Sequence, residues 1–221
     1  MTVVDHRVGN ERILAVERAI ETFTEGGFAI VLDGGAPESG HLMVAAEYTD
    51  EGVLTRMLDL ASGVIRVALP DERAAELRLP QMAEEYPEPQ EAEFSVSAGL
   101  AAGGATGVSA TERSSRTVRA LADPGTAARD LARPGQVFPI AAAPGGVLQR
   151  DGHTEAAVDL SRLAGLSGVT AMCEIAHQDW STARSDGLGR LSDSHLIPLV
   201  SACDLATYRL ARAAHRFALA G

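Results

Sequence analysis

Short apolar runs alternate with amphipathic segments along this chain, and together they predict interleaved strands and helices. The apolar runs are five to seven residues long and aliphatic, which favours buried strands. The predicted strands are 28–32, 42–46, 63–69, 94–98, 137–141, 169–175 and 196–200. The predicted helices are 10–23 with Asn10 as its cap, one capped by Asp50, one opening at Pro70, 111–121, 154–163 and one opening at Ser201. Because strands and helices mix without a regular βαβ alternation, we expect a single α+β domain spanning residues 1–221.

Three stretches between these elements predict loops. Residues 79–93 hold three prolines and five glutamates and are typical of an acidic surface loop. Residues 33–40 are rich in turn-forming residues. Residues 99–107 are rich in glycine and alanine, but their glycines match neither a dinucleotide-binding nor a phosphate-loop fingerprint.

Charge narrows the possible partners. The net charge of −11 and pI near 5.0 argue against nucleic acid or an anionic membrane as the main partner. A small anionic ligand then requires a local group of arginines. All 19 basic residues are arginine, so the chain has no lysine for Schiff-base chemistry.

Cysteine use and the absence of an apolar targeting segment indicate a cytoplasmic protein. Cys173 and Cys203 lie in apolar contexts without metal-ligand spacing, and we expect both to be buried thiols. No segment has the length and hydrophobicity of a transmembrane helix, so no membrane partner is expected.

Residues 150–155 form a polar segment at a predicted helix start, and several of their side chains could take part in binding or catalysis. The Arg150 guanidinium suits a phosphate, and the helix N-terminus adds unpaired backbone N–H groups. His153 suits a metal or proton transfer. Glu174, at the end of the next apolar run, brings a carboxylate to the same rim. The alternative, favoured by these residues alone, is that Thr154 only caps the helix and His153 is a surface residue.

Several sequence blocks, in this order, resemble 3,4-dihydroxy-2-butanone 4-phosphate synthase over nearly the whole chain. They are 106–110 (TGVSA), 117–120 (TVRA), 133–135 (RPG), 137–139 (VFP), 145–148 (GGVL), 150–155 (RDGHTE) and 173–174 (CE). The resemblance implies a homodimeric α+β fold that converts ribulose 5-phosphate to the butanone phosphate and formate, using Mg²⁺ or Mn²⁺.

The resemblance also implies roles for individual residues. Arg150, Gly152 and Thr154 match its phosphate-binding segment. Glu38 and His153 match the metal ligands and take part in catalysis. Glu174 matches an essential acid or base.

This chain departs from the family pattern close to those residues. His41 stands where the family has an aspartate, Gln136 where it has a histidine, and Arg66 where it has a cysteine. A neighbouring arginine is replaced by Pro37, and a second glutamate has no counterpart. We expect His41 to join the catalytic residues and Arg66 to bind a substrate carboxylate or second phosphate; the alternatives are an exposed loop histidine and an exposed arginine.

Three alternative functions are compatible with the resemblance and these departures. The first is a repurposed enzyme of this family, acting on a ribulose 5-phosphate-like sugar phosphate by metal-assisted enolisation. The second is a genuine synthase for riboflavin biosynthesis. The third is a non-catalytic protein that binds a ligand or partner. The departures at the proton-transfer positions favour the first, because each lost acid or base costs about 10² to 10⁴ in rate.

Overall fold

The structure, a computed structural model, describes residues 6–33, 39–61, 63–82, 94–101, 109–176 and 185–220. Within these ranges the helices are α1 His6–Thr24, α2 Glu51–Ala61, α3 Asp71–Glu76, α4 Ala110–Ala122, α5 His153–Leu163, α6 Ser185–His195 and α7 Ala202–Ala220. The strands are β1 Ala29–Leu32, β2 Gly40–Ala45, β3 Arg66–Leu69, β4 Ala98–Leu100, β5 Leu131–Ala141, β6 Thr170–Glu174 and β7 Leu199–Ser201.

The described strands form one mixed sheet in the order β4-β5-β3-β6-β2-β1-β7. Strands β3 and β5, and β1 and β7, run parallel. The other neighbouring pairs are antiparallel. Strands interspersed with helices and paired in both directions confirm the predicted α+β class.

Helices cover both faces of the sheet, so its central strands are buried on both sides. In β2, Leu42 and Val44 join one apolar cluster while Met43 and Ala45 join the other. Helices α2 and α4 contribute to the first cluster, and α1, α5 and α7 to the second. Burial on both faces explains why β2 is a continuous apolar run rather than an alternating one.

A buried ion pair joins α5 to α7 and to the turn before α5. Asp159, 5% exposed, accepts hydrogen bonds from Arg209 Nη1 at 2.6 Å and from the backbone N–H of Val147 at 2.9 Å. Arg209 Nη1 also donates to the carbonyl of Gly145. These contacts hold α5 to α7 and to the turn before it, and α5 carries part of the candidate site at its first turn.

Most predicted elements are present, and two predicted caps are confirmed. Asp50 Oδ1 accepts a hydrogen bond from Val53 N at 2.8 Å, and Ser201 Oγ accepts one from Asp204 N at 3.1 Å. Both bonds satisfy backbone donors at a helix start. None of the helices in the described ranges is long and apolar enough to span a membrane.

Several predicted boundaries are wrong. Helix α1 begins at His6 rather than at Asn10. Strand β5 begins at Leu131 rather than at Val137, because its first half pairs with β4 and its second half with β3. Strand β7 begins at Leu199, since Leu196 has a φ of +54° just past the end of α6.

Other differences concern whole segments. Phe94 and Ser95 make only isolated bridges, and the strand lies at Ala98–Leu100 instead of 94–98. Helix α6 was not predicted. Cys173 is buried as expected, but Cys203 is exposed because it lies on the outer side of α7. Residues 83–93 and 102–108 of the predicted loops lie outside the described ranges.

Candidate active site

Four strand ends meet at one edge of the sheet, the edge formed by strand ends rather than by an outer strand, and they carry three of the polar residues singled out in the sequence. His41, near the start of β2, is opposite Glu174, the last residue of β6. On the other side of β2, His41 is opposite Val31 of β1. Arg66 begins β3, which pairs with β6. The antiparallel register therefore brings His41, Glu174 and Arg66 to one edge.

Asp33 and His153 bind each other at this edge although they are 120 positions apart. Asp33 follows β1, and its Oδ1 accepts a hydrogen bond from the backbone N–H of His153 at 2.7 Å. The Asp33 carboxylate also lies 3.0 and 3.1 Å from His153 Nδ1. This carboxylate satisfies a backbone donor at the start of α5 and orients the imidazole.

The electrostatics of Asp33 favour its ionised form. Burial alone would raise the pKa of this carboxyl, but the hydrogen bond and charge of His153, with a hydrogen bond from Ser39, hold the pKa well below its usual range. Sequence reasoning missed Asp33. The available signal was an acidic residue directly after a buried strand, at the edge where strand ends converge.

His41 is buried rather than exposed, so the alternative of an exposed loop histidine is wrong. It is 2% exposed, and its ring stacks on His153 with centroids 4.0 Å apart and planes 16° apart. Neither ring nitrogen of His41, nor Nε2 of His153, has a hydrogen-bond partner among the described residues. A buried polar group without a partner costs about 1–3 kcal/mol.

The buried position of His41 keeps its imidazole neutral. Burial lowers the pKa of His41 well below its usual value, and repulsion from His153 and Arg66 lowers it further, while Asp33 offsets only part of this effect. A neutral imidazole has a lone pair available for a metal or for a proton.

Arg66 is also mostly buried, with its side chain 12% exposed, so the alternative of an exposed arginine is wrong as well. Its Nη2 lies 3.7 Å from Glu174 Oε2. The Glu174 side chain is 43% exposed and therefore accessible to a ligand from solvent. An arginine thus stands beside the candidate acid or base where the family resemblance expects a thiol.

The three residues assigned to phosphate binding lie at the start of α5 or just before it. Gly152 is the N-cap, and Thr154, at 1% exposed, lies in the first turn, so the alternative of Thr154 as the cap is wrong. Arg150 Nη2 donates to Glu155 Oε1 at 2.5 Å, and the backbone N–H of Ala143 donates to the same oxygen. A side chain on Gly152 would place its Cβ 2.8 Å from Glu155 Oε2, which accounts for glycine there.

Glu38 and Gln136 are not part of the described geometry at this edge. Glu38, the predicted metal ligand, lies outside the described residues. Gln136 lies toward β4, because a Cβ on Gly99 would be 2.9 Å from Gln136 Oε1.

The fold and this edge define a mixed α/β protein with carboxylates, histidines and an arginine gathered beside a helix N-terminus, a combination suited to an enzyme for a small anionic substrate. The chain belongs to the 3,4-dihydroxy-2-butanone 4-phosphate synthase family, whose family model matches residues 17–208. The family expected from the sequence blocks is therefore confirmed.

Curated relatives agree with this assignment. A 3,4-dihydroxy-2-butanone 4-phosphate synthase of Agrobacterium fabrum is 39% identical over 197 residues, which cover 89% of this chain and 92% of the relative. Riboflavin biosynthesis protein RibBA of Chlamydia trachomatis is 38% identical over 198 residues. That match covers 89% of this chain but only 46% of the relative, so the chain spans about half the length of RibBA.

Solved structures agree as well. The Candida albicans 3,4-dihydroxy-2-butanone 4-phosphate synthase superposes with a TM-score of 0.79 at 33% identity, covering 87% of this chain and 96% of that one. A synthase in complex with two magnesium ions has a TM-score of 0.79 at 30% identity, covering 86% and 94%.

The residues of this chain fit a divalent cation. Asp33, His41 and His153 offer ligand atoms that all lie within 4.8 Å of one another. The buried His41 nitrogens without hydrogen-bond partners are the second sign, because a bound ion would satisfy one of them.

Proposed function

We propose that this protein is a 3,4-dihydroxy-2-butanone 4-phosphate synthase that converts ribulose 5-phosphate to the butanone phosphate and formate for riboflavin biosynthesis. The observation that carries the proposal is the match to the synthase family over residues 17–208, with curated relatives of that name at 38–39% identity. The comparisons favour this function over the repurposed enzyme to which sequence reasoning gave preference.

The substrate phosphate would bind at the first turn of α5. The backbone N–H groups of a helix's first turn lack intrahelical partners and attract anions, although that of His153 already donates to Asp33. Arg150 adds a guanidinium that its ion pair with Glu155 holds in position. In a protein of net charge −11, such local donors are what attract an anionic substrate.

Proton transfer would fall to Glu174. Its carboxylate is partly exposed, so a substrate can reach it from solvent, and it lies 3.7 Å from Arg66 Nη2. His153 and Glu38 would hold the divalent cation, Mg²⁺ or Mn²⁺, and the Asp33 carboxylate contacts the same imidazole. The bound cation would polarise the substrate ketone and stabilise the charge of an enediolate.

The proposal also covers the oligomeric state, the location and the partners of the protein. We propose a homodimer in the cytoplasm, acting on a small phosphorylated substrate and binding neither nucleic acid nor membrane. Light scattering of the purified protein tests the dimer.

The experiment is incubation of purified protein with ribulose 5-phosphate and either Mg²⁺ or Mn²⁺, with formate and substrate followed by NMR. We expect formate to appear as ribulose 5-phosphate disappears. Glu174→Gln should lower kcat by about 10²–10⁴, because the amide cannot accept the proton. Glu21→Gln, an exposed carboxylate on α1, is the matched control and should have no effect.

Absence of formate with both metals would refute the proposal. Metal-dependent shifts of the substrate signals without turnover would then favour the repurposed enzyme. Absence of any interaction with the sugar phosphate would favour the non-catalytic protein.

A second candidate function rests on Arg66. A mostly buried guanidinium 3.7 Å from Glu174 suits a substrate with a carboxylate or second phosphate near its reacting carbon. If such a sugar phosphate is turned over faster than ribulose 5-phosphate, and Arg66→Met removes that preference, the repurposed enzyme is the better description.

A further inference from the structure

The position of His41 is unexplained by the family chemistry. The family resemblance expects an aspartate there, whereas this chain has a fully buried imidazole with no described partner at Nδ1 or Nε2. The ring lies flat against His153, so the nitrogens of the two rings are brought side by side. One nitrogen of a neutral imidazole donates a hydrogen bond, and the other has a lone pair that a proton donor or a metal ion would satisfy.

The spacing of the neighbouring ligand atoms is that of a metal site. Asp33 Oδ2 lies 3.1 Å from His153 Nδ1 and 3.9 Å from His41 Nδ1. Ligands at about 2.0–2.2 Å from one ion lie about 3–3.4 Å from each other. The ligand atoms of the triad Asp33, His41 and His153 lie within 4.8 Å of one another, so they must move inward and the two stacked rings must tilt apart to surround one ion, which would replace the proton shared by Asp33 and His153.

The donor types determine which ion fits. Mg²⁺ prefers six oxygen ligands and gives up its waters reluctantly. Two imidazoles and one carboxylate instead suit the divalent transition metals. The charges around the site also allow a cation to bind. Asp33 supplies a negative carboxylate beside His153, and the nearby positive group, Arg66, lies beside the carboxylate of Glu174.

We propose that Asp33, His41 and His153 bind one divalent transition-metal ion of the Mn²⁺, Co²⁺ or Zn²⁺ class in preference to Mg²⁺. His41 holds the buried side of this ion. Three protein ligands leave coordination positions for oxygen atoms of a substrate. The inference rests on the proposed function: it keeps His153 as a ligand of the same cation, adds Asp33 and His41, and narrows the choice of metal from Mg²⁺ or Mn²⁺ to a transition metal.

The test measures metal binding without substrate. Chelator-treated protein is titrated with Co²⁺, whose visible d–d absorption reports nitrogen and oxygen ligands, and separately with Mg²⁺ by calorimetry. We expect one Co²⁺ per chain and a Kd at least about 100-fold lower than that for Mg²⁺.

Two variants locate the site. His41→Asp replaces a nitrogen donor by an oxygen donor, and it should weaken Co²⁺ binding at least about tenfold and narrow the preference over Mg²⁺. Asp33→Asn should weaken binding of Co²⁺ as well, and it provides a second measurement if His41→Asp does not fold. His195→Ala, an exposed histidine at the end of α6, is the control and should change neither Kd.

The outcomes separate this inference from the proposed function. Co²⁺ binding no tighter than Mg²⁺, or unaffected by both His41→Asp and Asp33→Asn, overturns the inference even if formate is produced. Co²⁺ binding that depends on His41, in a protein that makes no formate with any of these metals, supports the triad and refutes the synthase.

Discussion

At the scale of single residues, burial determines the chemistry of side chains that look equivalent in the sequence. Both cysteines lie in apolar stretches, yet Cys173 is buried within β6 and Cys203 is exposed on α7. Burial raises the pKa of the Cys173 thiol to about 11, while Arg66 opposes this shift and Glu174 adds to it. The reactive species is the thiolate, so the two residues should differ in reactivity.

We therefore predict that iodoacetamide at pH 7.5 alkylates Cys203 and leaves Cys173 intact in the native protein. Peptide mass spectrometry measures the extent of modification at each site. In denaturant both thiols should react at similar rates, which controls for the local sequence. Rapid alkylation of native Cys173 would contradict the burial on which the prediction depends.

At the scale of elements, the pairing of β4 with β5 depends on a close approach at Gly135. A Cβ there would lie 1.9 Å from the carbonyl carbon of Ala98 and 2.1 Å from the backbone nitrogen of Gly99. Backbone atoms cannot move aside as the end of a flexible side chain can. The glycine in the Arg133–Gly135 block therefore has a packing role that its sequence motif does not reveal.

Gly135→Ala should lower the free energy of unfolding by about 2–3 kcal/mol, because the two strands must separate to admit the methyl group. Gly189→Ala is the matched control, since no atom lies within 4 Å of its added Cβ and the residue is inside α6. The control should be neutral or stabilise by up to about 1 kcal/mol. Urea denaturation measures both changes, and equal effects would rule out the close approach.

At the scale of the whole molecule, the buried titratable groups His41 and Asp33 make the free energy of unfolding depend on pH. The folded-state pKa of His41 is lowered, so below about pH 6.5 the unfolded chain binds a proton that the folded chain does not. Unfolding free energy should then fall as pH falls through this range. The lowered pKa of Asp33 acts in the same direction below about pH 3.8.

We predict that the loss of stability between pH 7 and pH 5 is smaller in His41→Asn than in the parent protein. Because His41 is neutral at pH 7, the variant has the same net charge there, and the comparison isolates one titration from the global charge of −11. Urea denaturation at each pH gives the slope, with His195→Asn as an exposed control. Parallel slopes for parent and His41→Asn would contradict the prediction.

Much of the fold could be predicted from the chain alone, because strands and caps are specified locally. The apolar runs of β1, β2 and β6 and the caps Asp50 and Ser201 depend only on neighbouring residues. The start of β5 could not be predicted, because its first residues pair with β4, which is distant in sequence. Helix α6 was missed in a polar stretch whose few apolar residues, such as Leu188, pack against the sheet.

The candidate site likewise has some features that could be predicted from the sequence and others that depend on the tertiary structure. The sequence by itself determined the family, the start of α5 near Arg150 to Glu155, and the arrival of Glu174 at a strand end, because each is a contiguous motif or a local pattern. Only the tertiary structure decided that Asp33 binds His153 and that His41 is buried against that ring. Those contacts join residues of different strands and a helix, and they exist only once the sheet register has brought the strand ends together.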